Sequence, residues 1–127
     1  MRLRTGNAKG YTLVMCTAPP CRDELTAQIV ATLRECVRTS RCGVLVMSQC
    51  TLGTIACRLR PPGQFVLVQP CDTQRRPMGS GVRVGPLRDE ADLAAVQAWI
   101  RAARFDAQLL LAHLTATDRT VRSAMRN

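Results

Sequence analysis

Residues 11–48, "YTLVMCTAPPCRDELTAQIVATLRECVRTSRCGVLVMS", decide how this chain folds. They open with a short β-prone run, Tyr11–Met15, that ends at Cys16. "CTAPPC" follows, and its two prolines fix φ and remove backbone donors, so the strand stops in a rigid loop. Asp23 and Glu24 suit a helix N-terminus, where negative charge meets the positive end of the dipole. Leu25, Ile29, Leu33, Cys36 and Val37 recur at the spacing of one buried helical face and predict a helix to about Arg38. "CGVLVMS", 42–48, is a second strand. Its unbroken apolar run predicts burial on both faces, as in a parallel strand. Strand, helix and strand make a βαβ unit.

The rest of the chain extends that unit. "TLGTIACRLRPPG", 51–63, reads as a loop closed by Pro61, Pro62 and Gly63. "QFVLVQP", 64–70, is a third strand ended by Pro70. A turn-rich connection leads to "VRVGPL", 82–87, a fourth strand that pairs with the third as a hairpin. "RDEADLAAVQAWIRAARF", 88–105, is a helix with acids at its start, arginines at its end and a stripe of Leu93, Val96, Ile100 and Ala103. A last helix over 106–127 carries Leu110, Leu114, Val121 and Met125 for docking on the domain or on a partner. The expected class is α/β, with a βαβ unit followed by a β-hairpin and helix, plus an extra C-terminal helix.

The chain has 127 residues, of which 46% are hydrophobic, enough for one folded domain over 1–127. Its core is aliphatic, because Tyr11, Phe65, Trp99 and Phe105 are its four aromatics. No apolar run reaches bilayer-spanning length, and the apolar stretch near the N-terminus is too short for a signal sequence, so a cytoplasmic protein without membrane attachment is expected. Net charge is +9. Such an excess attracts polyanions such as RNA. Arginine exceeds lysine 17 to 1, a bias that a GC-rich, actinobacterial type of genome also produces.

Seven cysteines in a cytoplasmic chain point to metal, redox chemistry or burial, since disulfides are rare there. His113 is the one histidine, which rules out a Cys2His2 zinc site. Cys36 lies on the apolar stripe of the first helix and is read as packing. Cys42 opens the second strand and is read as structural. Cys16, Cys21, Cys50 and Cys57 fall in the loops after the first two strands. Those strands are parallel neighbours, so their C-terminal ends share one edge of the sheet, the edge at which α/β folds place their sites. Four thiolates there suit one zinc ion or the two irons of a [2Fe–2S] cluster. Cys71 follows the third strand: if that strand runs antiparallel to its neighbours, Cys71 belongs to the other edge and is a poor ligand for the same site. "GSGVRVG" precedes a strand and is a turn, not a phosphate cradle. Asp89, Glu90 and Asp92 are a helix start, and His113 is structural.

"YTLVMC", "VLVMSQCTLGTIAC", "FVLVQP", "VRVGPL" and "DEADLAAVQAWI" together resemble the thioredoxin-like [2Fe–2S] ferredoxins over residues 11–103. The resemblance implies a thioredoxin-like fold with residues 106–127 as a helical extension. It implies cluster ligands at Cys16, Cys21, Cys50 and Cys57, and single-electron transfer or redox or metal sensing with a protein redox partner, rather than an enzyme. The cysteine spacings and the basic charge differ from that family's usual pattern. Size, cysteine content and charge are also similar to a zinc-responsive factor of mycobacteria that recruits a hibernation protein to the ribosome. That profile implies zinc at the same thiols and a ribosome or RNA partner for the arginine-rich surface. A thiol oxidoreductase is the remaining alternative.

Overall fold

The computed structural model describes residues 10–16, 24–48 and 63–126. Strand β1 is Gly10–Cys16, helix α1 is Thr26–Thr39 and strand β2 is Gly43–Ser48. Strands β3 (Gln64–Cys71) and β4 (Val82–Leu87) follow, then helix α2 (Glu90–Ala102), a short 3-10 turn (Ala107–Leu109) and helix α3 (Ala112–Arg126). The strands form one mixed sheet in the order β2-β1-β3-β4. β1 and β2 are parallel, in register from Tyr11 beside Gly43 to Cys16 beside Ser48. β3 is antiparallel to β1, and β4 is antiparallel to β3. The expected α/β class, βαβ unit and hairpin are therefore present.

One face of the sheet carries the core. Leu13 and Met15 of β1, Val66 and Val68 of β3, and Val82 and Val84 of β4 meet Ile29 and Leu33 of α1 and Leu93, Val96 and Ile100 of α2. Trp99 lies edge-on to Phe105, with ring centroids 5.5 Å apart, and Phe105 lies 5.6 Å from Tyr11. The Trp99 indole N–H donates to the Asp106 carbonyl at 2.9 Å, so its polar tip is satisfied.

Helix α2 is capped as its acids predict. The Asp89 carboxylate accepts from the Asp92 amide, and Asp92 in turn accepts from the Arg88 amide, both at 2.9 Å. Helix α3 lies along β4. Asp118 accepts from the Arg83 amide at 2.9 Å, and Leu114 is fully buried. The His113 imidazole bonds Asp92 at 2.7 Å and ties α3 to the start of α2.

Several expectations need correction. β2 is a sheet edge rather than a doubly buried strand: Val44 and Val46 are 40% and 41% exposed. An apolar run alone does not distinguish a central strand from an edge. Helix α1 starts at Thr26 with no acid in its first turn and no side-chain cap. Glu24 lies before it, and Asp23 lies outside the described residues. Pro70 does not end β3, which continues to Cys71. A strand residue's amide nitrogen and carbonyl share one side, and the Pro70 carbonyl accepts from the Met78 amide. The missing N–H therefore faces the 71–81 connection, not β1, and costs no ladder bond. The helix expected over 88–105 stops at Ala102, because Ala103 and Phe105 adopt φ of 57° and 54°. That turn sends Phe105 back beneath Tyr11 and Trp99. The last helix is shorter than expected, starting at Ala112, and the side chains of Val121 and Met125 lie outside the described residues.

The pairing of β3 with β4 shifts register between Gln64 and Val66, and Gly85 takes up the irregularity with φ of +139°. A Cβ there would stand 2.8 Å from the Gln64 carbonyl oxygen. Gly85→Ala is expected to destabilise the fold by about 2–3 kcal/mol through strain and clash together. Urea unfolding measures it, and a loss below about 0.5 kcal/mol would contradict this role for Gly85.

Candidate functional site

β1 and β2 end side by side because they are parallel, and Cys16 and Ser48 are their last paired residues. The chain leaves both strands at the same sheet edge. Cys21, Cys50 and Cys57 follow in the connecting segments and lie outside the described residues. Of the four expected ligands, the structure thus places Cys16. Alternation along β1 puts Cys16 with Thr12 and Val14, on the face away from α1 and α2. It is 2% exposed, yet it is not part of the core cluster that those helices cover. Among the described residues no three His, Cys, Asp or Glu side chains gather as a metal site.

Gln64 holds the Cys16 backbone in place. Its side-chain N–H donates to the Cys16 carbonyl, while its own oxygen accepts from the Thr26 hydroxyl at 3.2 Å. The residue is fully buried. One amide thus joins the end of β1, the start of β3 and the start of α1. A glutamine immediately before the apolar run Phe65–Val68 was the sequence signal for it. Gln64→Ala leaves a buried carbonyl without that donor and is expected to cost about 2 kcal/mol. Thermal and urea unfolding measure the cost, and a neutral substitution would show that Gln64 does not hold this edge.

The remaining described cysteines lie away from that edge. Cys36 is 2% exposed within the core cluster, as its helical stripe predicts. Cys71 lies opposite Gly10, at the other end of β1. Its sulfur is 3.8 Å from the Thr12 hydroxyl. Cys42 immediately precedes β2, and its carbonyl accepts from the Tyr11 amide at 3.1 Å and from the Arg75 guanidinium at 2.6 Å. Arg75 also donates to the Thr12 hydroxyl at 2.6 Å and to the Tyr11 carbonyl at 3.1 Å. This arginine ties the 71–81 connection to the start of the parallel pair, a role that no local sequence pattern announces.

Two groups near that second edge have shifted titrations. Burial pushes the Cys36 thiol above its ordinary value, while the Arg101 guanidinium beside it pulls the other way. Burial likewise raises the Tyr11 phenol. Both groups favour the proton more in the folded chain than in the unfolded one. Their contribution is therefore complete below the unfolded values, 9.0 for the thiol and 10.0 for the phenol, and is lost as pH rises past them. Stability is expected to fall on the alkaline side from about pH 9. A urea-midpoint series across pH 7 to 11 that stayed flat would contradict this.

No family model, no curated protein and no solved structure matches this chain significantly. Among the described residues no helix is long and apolar enough to cross a membrane.

Proposed function

We propose that this chain holds a [2Fe–2S] cluster at Cys16, Cys21, Cys50 and Cys57 on a thioredoxin-like scaffold and serves as a single-electron carrier or redox sensor. The observation that carries the reading is the parallel register of Cys16 with Ser48, which starts both cysteine-bearing segments from one sheet edge. Burial of Cys16 outside the helix-covered core fits a ligand better than a packing residue. The order β-α-β-β-β-α, on which the resemblance rests, supports the same scaffold. The position of Cys16 suits thiolate ligation, since an all-cysteine set matches the donor preference of either iron–sulfur or zinc.

When bound, such a cluster takes up and gives back one electron. The protein's own residues do the rest. The Cys16 sulfur would be a ligand shielded from water, and Gln64 would hold its backbone so that the sulfur keeps its direction. The chain's excess of arginine would suit an acidic partner. Visible absorption and electron paramagnetic resonance of protein purified without air test this reading. The expected result is a coloured oxidised form and a paramagnetic signal on one-electron reduction. A colourless, silent protein after reconstitution would overturn it.

The +9 charge favours a second reading. Here the same thiols bind zinc, and the arginines contact ribosomes or RNA through phosphates. Co-sedimentation with ribosomes at low salt, dependent on zinc, is its expected signature. No co-sedimentation with or without zinc would remove it.

A further inference from the structure

A cavity of about 240 Å³ opens between the C-terminal ends of α1 and α2, at the opposite sheet edge from Cys16. Its wall includes Tyr11, Cys36, Ile100 and Phe105, all 5% exposed or less, while Arg41 and Arg101 stand exposed at its rim. We propose that this cavity binds a small carboxylate with an apolar body. The apolar part enters against the two rings and Ile100, and the carboxylate meets the guanidinium groups.

The donor inventory of the wall points to an anion. The Tyr11 hydroxyl already donates to the Cys36 carbonyl at 3.2 Å. The hydroxyls of the last turn of α1 donate to helix carbonyls. Arg101 also hydrogen-bonds the Cys36 sulfur, but a guanidinium carries five N–H donors, so Arg41 and Arg101 together still offer donors that suit a carboxylate in fork geometry. Among the described residues neither Arg41 nor Arg101 has a carboxylate in ion-pair range, and nearby Glu35 is held by Arg38. Two helix C-termini face this space, and their dipoles oppose an anion. Each terminus carries only about half a charge and each guanidinium a full one, so a carboxylate forked between the two arginines is attracted on balance. At roughly 30 Å³ per water, the space equals about eight waters, which admits a body the size of one aromatic ring.

The test uses the full chain and 4-fluorobenzoate as the probe, followed by fluorine NMR and by the fluorescence of Trp99, which abuts Phe105. The expected result is saturable binding, weakened about tenfold by Arg101→Gln and unchanged by Arg88→Gln, an exposed arginine at the far end of α2. 4-Fluorobenzyl alcohol, which lacks the charge, and acetate, which lacks the ring, are expected to bind much more weakly. Both arginine variants alter exposed side chains, and circular dichroism verifies their folding first. The proposal is overturned by absence of saturation, by equal loss in both variants, or by the alcohol binding as tightly as the acid.

Discussion

Cys16→Ser and Cys16→Ala are both expected to lose the iron and sulfide of the proposed cluster, and both are expected to remain folded. A serine hydroxyl is a far poorer ligand to these irons than a thiolate, and alanine supplies no ligand at all. Folding survives because Cys16 lies outside the helix-covered core cluster. Removing its sulfur costs about 1–3 kcal/mol, whether as a small cavity or as a buried hydroxyl. Cys71→Ser and Cys36→Ser separate a ligand effect from a general thiol effect. Cys71 is at the opposite strand end, and Cys36 is inside the core. Iron should therefore be retained in both. Metal analysis with circular dichroism reads the series. Full iron in folded Cys16→Ala would remove Cys16 from the site.

The second large effect is expected at the far edge of the sheet. Asp118 is 3% exposed and accepts from the amide of Arg83. The Arg83 guanidinium is 3.5 Å from the same carboxylate oxygen. Asp118→Ala deprives the β4 amide of its acceptor and leaves a largely buried guanidinium facing no charge. Breaking such a pair from one side costs about 3–5 kcal/mol. That is a large share of the roughly 5–15 kcal/mol that holds a domain together. Asp118→Asn keeps a carbonyl oxygen for the amide and should lose clearly less. Urea unfolding at neutral pH distinguishes the two. A loss below about 1 kcal/mol for Asp118→Ala would show that α3 does not depend on this contact.

Much of the fold was legible because its pattern is local. Ile29, Leu33 and Cys36 repeat at helical spacing and form the buried face of α1. Asp89 and Asp92 announce the start of α2 and cap it. What escaped depends on partners distant in sequence. Val44 and Val46 look like core residues until the strand order puts β2 at the edge. Phe105 leaves the helix because its place beneath Tyr11 demands a left-handed turn. Nothing near Asp118 in sequence indicates that it accepts from an amide 35 residues earlier.

The site divides in the same way. Parallel pairing of β1 and β2 was readable from the βαβ pattern, and with it the shared edge for Cys16 and the loops beyond. The separation of Cys71 followed from the antiparallel direction of β3. Gln64 was not recognised, because its two partners come from β1 and α1. The positions of Cys21, Cys50 and Cys57 lie outside the described residues.

The iron, zinc and acid-labile sulfide content of the full chain, measured immediately after purification without air, tests the central claim most directly. The account predicts iron and sulfide in equal amounts with little zinc, all lost in Cys16→Ala. Zinc without sulfide, or a folded chain holding neither metal after reconstitution, would contradict it.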